Sequence, residues 1–161
     1  MMRKGLLAFL ILLVWPQLSV HAAGPDARQY FRDGYLAATA REWDAAIELY
    51  TKAIDLDNTN PETYLQRAAA HQMAGHIDLA IKDYEQAIRL KPDYYLALEY
   101  LAKLYESKGD YEKAVNLYSR ALPLVTDPKW RSVVKWWLTQ AKNKSQHSEV
   151  RATRRVRGGS R

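Results

Sequence analysis

Apolar and polar residues between positions 27 and 128 alternate with a helical period that is broken at regular intervals. The middle of this region holds two apolar series with steps of mostly three and four residues: Tyr64, Leu65, Ala68, Ala69 and Met73, then Ile77, Ala80, Ile81, Tyr84, Ala87 and Ile88. Each series predicts one face of a helix. Gly75 is placed to end the first helix, because glycine readily adopts positive φ, and Lys91-Pro92 is placed to end the second. The pattern predicts a pair of helices joined by a tight turn.

This helix pair is written three times at a fixed period, in the blocks 27–60, 61–94 and 95–128. Four positions keep their residue class in every block: Gly34, Ala68 and Ala102; Ala46, Ala80 and Ala114; Tyr50, Tyr84 and Tyr118; Ala53, Ala87 and Ala121. Small side chains at facing positions let antiparallel helices approach to about 8–9 Å. A 34-residue period predicts a solenoid, in which each unit buries its apolar face against the next.

The turn inside the first block departs from the other two. Arg41 occupies the position held by Gly75 and Gly109, so we expect the first turn to be strained. Asp110 follows Gly109 directly and is expected to cap the next helix.

A further helix is predicted after the third block, over residues 129–146. Its apolar residues gather on one side: Trp130, Val133, Val134, Trp137, Leu138 and Ala141. Such a helix covers the last open face of a short solenoid. Trp136 lies about 140° around the helix from that face and is therefore expected to be exposed. Residues 147–161 turn polar and then basic, which predicts a disordered tail.

The repeated positions, together with Pro92, resemble the tetratricopeptide repeat family across all three blocks and the following helix. The resemblance implies an all-α fold over residues 23–146. This fold is a right-handed α-α superhelix of three helix pairs plus a C-terminal capping helix. It also implies a concave groove, lined by the first helix of each pair, across which a segment of a partner protein lies.

The resemblance, carried over position by position, assigns the groove lining to all three blocks. The implied residues are Arg28, Phe31, Arg32, Tyr35, Leu65, Gln66, Ala69, Gln72, Met73, Leu96, Glu99, Tyr100, Lys103 and Glu106. The family's best-known pocket holds a peptide's terminal carboxylate with Lys and Asn, whereas the corresponding positions here are Phe31, Tyr35, Leu65 and Ala69. That disfavours a carboxylate clamp and favours a segment with apolar anchors. The alternative for Phe31 and Leu65 is that they pack within the stack.

The N-terminal segment, positions 1–22, resembles a secretory signal. A basic start at Arg3 and Lys4 precedes the apolar run 6–15, and small residues stand before the expected cleavage after Ala22. The prediction is an exported, periplasmic protein. The alternative is an uncleaved membrane anchor, although the run is short against the roughly 20 residues of a spanning helix.

Charge and composition narrow the functional classes. The formal net charge of +6 comes from the two ends: without Arg3, Lys4 and the five arginines after position 149, 17 basic residues face 18 acidic ones. The body is thus not expected to bind nucleic acid specifically. The chain contains no cysteine, which excludes disulfides and thiol chemistry.

The sequence gives little support for a catalytic or metal-binding site. His71 and His76 are five positions apart and span a helix end, so we expect packing or surface roles for both. Asp55, Asp57 and Thr59 imitate the start of a calcium loop, but Asn60 replaces its glycine and Gln66 its bidentate Glu. We therefore expect no metal, no cofactor and no enzymatic activity.

Two hypotheses follow from the sequence. The first is an exported, non-catalytic adaptor that holds a segment of a partner protein in its groove, for assembly of an envelope complex. The second is a self-associating building block that uses Trp136 and the open face of the first repeat. In either case, the basic tail offers weak contact with an anionic surface.

Overall fold

The computed structural model describes residues 26–158. Those residues form seven α-helices and one short 3₁₀ helix: α1 (Ala27–Thr39), α2 (Trp43–Leu56), α3 (Pro61–Met73), α4 (Ile77–Leu90), α5 (Tyr95–Ser107), α6 (Tyr111–Ala121), the 3₁₀ helix Leu122–Leu124 and α7 (Pro128–Gly158). Within residues 26–158 there is no strand. Each helix packs against the next along the chain, and the pairs stack into an α-α superhelix. The predicted all-α fold is confirmed.

The first helices of the three pairs begin at Ala27, Pro61 and Tyr95, which reproduces the 34-residue period of the sequence. Local signals fix two of these starts. The Asp26 carboxylate accepts a 2.8 Å hydrogen bond from the Gln29 amide at the start of α1. Asn60 accepts a 3.0 Å bond from the Glu62 amide at the start of α3, where Pro61 needs no partner for its missing N–H.

The turns between paired helices behave as the sequence predicted. Gly75 and Gly109 adopt φ values of +84° and +80°, and Arg41 is forced to +63°. A side chain with a Cβ is strained in that region, so the first turn stores conformational energy. Asp110 is the N-cap residue of α6, as predicted, but the capping interaction is absent. Its side chain makes no capping hydrogen bond and instead pairs with Lys113 Nζ at 2.7 Å.

The core consists of tyrosines that lie over small residues. Tyr50, Tyr84 and Tyr118 are completely or almost completely buried, as are the recurrent alanines of the second helices. The packing is tight at Gly34, where an added Cβ would lie 2.9 Å from the Tyr50 ring. Glycine at this position lets α1 approach α2 closely enough to cover the ring.

α7 covers the open end of the stack, and its packing face is the predicted one. Val134, Leu138 and Ala141 are buried, and the Trp137 ring stacks on Tyr118 with a 6.1 Å centroid separation. The helix is longer than expected, because it continues past position 146 to Gly158. Over the added turns the expectation of a disordered tail is wrong. No proline or glycine interrupts residues 129–157, and Gly158 is the first helix breaker.

The predicted signal segment, residues 1–22, lies outside the described residues, as do positions 159–161 of the tail. Across residues 26–158, no helix combines the length and the apolar character needed to cross a bilayer.

Candidate functional site

The outward sides of α1, α3 and α5, together with the first turns of α7, form the surface that we call the groove. Its exposed apolar side chains are Tyr35, Met73, Leu96 and Trp130, of which Tyr35 and Met73 are 52% and 60% exposed. These side chains come from four different helices, so the apolar surface crosses every layer of the stack. Exposed aromatic and aliphatic groups are the usual anchors for a partner.

A cavity of about 490 Å³ lies at the first-repeat end of the groove. It is lined by Phe31, Arg32, Tyr35, Leu36, Glu62 and Gln66. Phe31 is half-buried, and the centre of its ring lies 5.7 Å from that of Tyr50. The two packed rings form the floor of the cavity. Arg32 is exposed and bonds to Gln29 Oε1 at 2.5 Å, but it forms no ion pair with the described residues. Its charge is therefore available to an incoming carboxylate.

The Tyr50 hydroxyl beneath this end is buried and has no hydrogen-bond partner among the described residues. Burial, then Glu62 and Tyr35, raises the pKa of Tyr50 to about 12. The equivalent hydroxyls in the other repeats donate hydrogen bonds to the first helix of their own repeat: Tyr84 to Gln72 and Tyr118 to Glu106. The matching position in the first repeat is Ala38, which has no polar group to offer.

Glu62 organises the middle of the groove. Its carboxylate accepts a 2.6 Å hydrogen bond from Gln66 Nε2 and another from the Tyr94 hydroxyl. Burial, followed by Glu62 itself, raises the pKa of Tyr94, so this hydroxyl stays protonated and remains a donor. Tyr100 lies near Tyr94, and the centre of the Tyr100 ring is 6.0 Å from that of Tyr84. These contacts fix the aromatic rings before any partner arrives.

The third-repeat end is a closed network. The Lys103 ammonium lies 4.0 Å from the centre of the Trp137 ring and 2.5 Å from Glu99 Oε1. The Tyr95 hydroxyl donates to Glu99 and accepts from the Trp130 indole N–H. Glu99 is only 2% exposed, and its carboxylate is already satisfied by its bonds to Lys103 and Tyr95. This end presents aromatic surface rather than a free carboxylate.

The predicted groove residues fall into three classes of solvent exposure in the structure. Five are exposed: Arg28, Arg32, Tyr35, Met73 and Leu96. Seven are half-buried: Phe31, Gln66, Ala69, Gln72, Tyr100, Lys103 and Glu106. Two are buried: Leu65 and Glu99. Leu65 packs in the core, as the alternative for that residue proposed, and Glu99 faces the Lys103 network. The assignment of these two to the accessible lining is therefore wrong.

Several groove residues were not predicted from the sequence. They are Glu62, Tyr94, Tyr95, Trp130 and Trp137. Continuing the 34-residue period would have found three of them, because Glu62, Trp130 and Trp137 stand one period after Arg28, Leu96 and Lys103. Trp136, predicted as a second interface, is 59% exposed.

The residues considered for chemistry have structural explanations. Asp57 ends α2, and its carboxylate accepts from the Thr59 hydroxyl at 2.6 Å and from the Thr59 amide at 3.0 Å. His71 is buried, with its Nδ1 3.4 Å from His76 Nδ1. Among residues 26–158, no three His, Asp or Glu side chains cluster closely enough to hold a metal ion.

Two family models match the chain. One is described as tetratricopeptide repeat and matches residues 65–128; the other is described as TPR repeat and matches residues 42–75. Small glutamine-rich tetratricopeptide repeat-containing protein 2 of Mycosarcoma maydis is 34% identical over 122 residues, which are 76% of this chain. The chain spans about a third of that relative's length, 34%.

Solved structures give the same fold. The Sgt2 TPR domain from Aspergillus fumigatus superposes with a TM-score of 0.65 at 26% identity, covering 76% of this chain and 81% of that domain. The TPR2B domain of yeast Sti1, determined in a complex with an Hsp70 peptide, superposes with a TM-score of 0.67 over 73% of this chain and 97% of that domain. At 21% identity, the second likeness shows the fold alone.

Proposed function

Residues 42–128 belong to the tetratricopeptide repeat family, and on that premise we propose that the chain is a non-catalytic adaptor that holds a partner peptide in its groove. The observation that carries the proposal is the apolar surface from Tyr35 to Trp130, which four helices supply and which no described residue covers. Side chains with this exposure on a preorganised frame favour the capture of an extended or helical segment.

The charges around the groove describe the preferred guest. Arg28 and Arg32 are exposed at the first-repeat end, whereas Lys103 and Glu99 neutralise each other at the far end. A guest with apolar anchors along its length and an acidic residue near α1 complements this arrangement. The positions of the family's carboxylate clamp hold Phe31 and Tyr35, among others, so an internal segment suits the groove better than a peptide terminus.

Two domains with the same fold were solved with peptides, which supports peptide binding as the class of function through the shared fold alone. The Sti1 domain was solved with an Hsp70 peptide, and the domain of Spaghetti (RPAP3), whose likeness at 23% identity shows the fold alone, was solved bound to an HSP90 peptide. In this chain the partner is a different segment, since the clamp positions differ.

Affinity capture with matched variants tests the proposal. Tyr35→Glu and Met73→Glu place a charge in the groove, and Leu56→Glu and Leu79→Glu place the same charge on exposed positions of α2 and α4. We expect quantitative mass spectrometry to find a partner that the groove variants lose and the controls retain. Equal recovery with all four variants would contradict the adaptor proposal.

We further propose that the adaptor acts outside the cytoplasm, in assembly of an envelope complex, because residues 1–22 have the pattern of a cleavable signal. Mass spectrometry of the protein from its native source tests this. A mature chain that begins at Ala23 is expected, whereas an intact N-terminal segment in the membrane fraction would favour the anchored alternative.

Self-association remains the second candidate, favoured by the exposure of Trp136 on α7 and of Leu36 on the first repeat. Light scattering separates the two candidates. The adaptor proposal predicts a monomer at micromolar concentration, and a dimer that Trp136→Ser dissociates would favour self-association. The arginines between residues 151 and 161 add weak, salt-sensitive contact with anionic surfaces under either candidate.

A further inference from the structure

A second cavity, of about 370 Å³, lies among α4, α5 and α6. It is lined by Glu85, Ile88, Arg89, Leu101, Tyr105, Lys113, Asn116, Leu117 and Arg120. At about 100° per residue, Leu101 and Tyr105 project about 140–180° around α5 from the groove residue Leu96. We call this cavity the back pocket, because it opens on the face opposite to the groove.

The back pocket has a direct counterpart one repeat earlier that the protein fills by itself. Each lining residue corresponds to one that stands a full period before it: Thr51, Ile54, Asp55, Arg67, His71, Leu79, Lys82, Asp83 and Gln86. There, Arg67 forms a bidentate pair with Asp83, at 2.7 and 2.8 Å, and bonds to Thr51 Oγ1 at 3.1 Å. The long guanidinium side chain occupies the space between the helices.

In the back pocket this pair is replaced by Leu101 and Leu117, which are both buried and too short to fill the same space. The floor is therefore apolar, and the volume that the guanidinium occupies one repeat earlier is left as a cavity. Ile88 extends the floor, and the Tyr105 ring forms one wall, held by a 3.0 Å hydrogen bond from its hydroxyl to Glu85. A cavity of this volume with an apolar floor is in the usual range of binding pockets.

The rim is basic. Arg89, Lys113 and Arg120 surround the opening, against the single carboxylate of Glu85. Lys113 is 2.7 Å from Asp110, but Arg89 bonds only to the neutral Gln86, and Arg120 makes no ion pair with the described residues. In the counterpart, Arg67 and Lys82 are balanced by Asp55 and Asp83. Compared with its counterpart one repeat earlier, the back pocket therefore has an excess of positive charge around an apolar floor.

We propose that the back pocket binds an acidic peptide segment that carries one large apolar side chain. The apolar side chain occupies the floor over Leu101 and Leu117, and flanking carboxylates pair with Arg89 and Arg120. This second site does not depend on the groove, and the opposite faces allow both to be occupied at once. The chain would then connect two protein segments rather than hold one.

Fluorescence anisotropy with a defined probe tests the proposal. The probe is a fluorescein-labelled acidic decapeptide with a central Leu-Phe pair, either member of which can supply the single apolar side chain, titrated with the protein at low ionic strength. Two control peptides replace Leu-Phe by Ser-Ser, or the acidic residues by Gln. We expect saturable binding of the probe and a loss of about fivefold or more in affinity for each control peptide.

Two protein variants locate the binding. The exposed double variant Arg89→Glu/Arg120→Glu is expected to weaken binding by about tenfold, whereas Arg28→Glu/Arg32→Glu, in the groove, is expected to change it less than about twofold. The variant Leu101→Arg/Leu117→Asp transplants the Arg67–Asp83 pair and is expected to abolish binding by filling the pocket. Circular dichroism reports whether it folds; if it does not, the exposed variant still decides.

Three results would overturn the back-pocket proposal: no saturable binding of the probe, equal binding of the Ser-Ser peptide, or an equal loss in the two arginine variants. The last result would indicate unspecific attraction to positive charge. None of these results bears on the groove, whose test relies on Tyr35 and Met73.

Discussion

The Tyr84 hydroxyl donates a 3.1 Å hydrogen bond to the Oε1 of Gln72 on the first helix of the same repeat. The bond recurs one repeat later, where Tyr118 donates to Glu106 at 3.2 Å. In the first repeat Ala38 cannot accept, and the Tyr50 hydroxyl is left buried without a partner among the described residues. The tyrosine at this repeated position is therefore hydrogen-bonded in the second and third repeats and unsatisfied in the first.

Removing these hydroxyls should have different effects on stability. Tyr84→Phe is expected to lower the free energy of unfolding by about 1 kcal/mol, because a satisfied hydrogen bond is lost. Tyr50→Phe is expected to be neutral or stabilising, because the substitution removes a polar group that was desolvated without compensation. Denaturant unfolding of both variants measures the difference. Equal losses would show that the Tyr50 hydroxyl has a partner in solution.

Supplying the missing partner should stabilise the first repeat. Ala38→Gln places an amide where Gln72 stands in the second repeat, and a gain of about 0.5–1.5 kcal/mol is expected. Ala38→Met is the control for added side-chain size. In the Tyr50→Phe background the gain from Ala38→Gln should disappear, which a double-mutant cycle measures. A gain that persists without the hydroxyl would contradict this explanation.

The strained turn at Arg41 should be relieved by glycine. Because φ is +63° there, Arg41→Gly is expected to stabilise the protein by about 0.5–1 kcal/mol, after allowance for the greater freedom of glycine in the unfolded chain. Gly75→Ala and Gly109→Ala should destabilise by about 1 kcal/mol through φ alone, since no atom beyond the adjacent residues lies within 4 Å of either added Cβ. Thermal unfolding of the three variants checks the opposite signs.

His71 should make stability fall in mildly acidic solution. Burial, aided by Arg67 and His76 and opposed by Asp83, lowers the pKa of His71 below its ordinary value of 6.5. The unfolded chain then binds a proton more readily than the folded one, so the free energy of unfolding decreases as pH falls below about 6.5. The decrease levels off only below the folded-state pKa.

The expected readout is the slope of unfolding free energy against pH between about 5 and 7, compared for the wild type and His71→Gln. The slope should be smaller in the variant, whatever its absolute stability in mildly alkaline solution. An unchanged slope would assign the pH dependence to other groups.

The sequence was sufficient to predict the helix pairs and the turns within them. The 34-residue period predicted the helix pairs, and the alignment of Arg41 with Gly75 predicted the strained turn. Each of these depends on contacts within one repeat or between neighbours, which recur in the sequence. The N-cap position of Asp110 was also predicted, but its carboxylate pairs with Lys113 and not with a backbone amide of α6.

The third-repeat end of the groove was not predictable in the same way. Glu99 was expected to line the surface, but Trp130 and Trp137 of α7 close over its neighbours Tyr95 and Lys103. These contacts join residues far apart in the chain and occur once, so the 34-residue period gives the positions of Trp130 and Trp137 but not their contacts with Tyr95 and Lys103. Likewise, the back pocket arises from what Leu101 and Leu117 fail to fill, which becomes visible only when the repeats are superposed.

Site-specific photocrosslinking tests peptide capture by the groove most directly. A benzoylphenylalanine residue placed at Tyr35, Met73 or Leu96 reports what lies against α1, α3 and α5, and the same residue at Leu56 or Leu90 reports the outer ends of α2 and α4. The account predicts one common partner segment crosslinked at the three groove positions and absent at the two outer ones. Crosslinks to the same protein with equal yield at all five positions, or a groove crosslinked solely to its own chain, would contradict it.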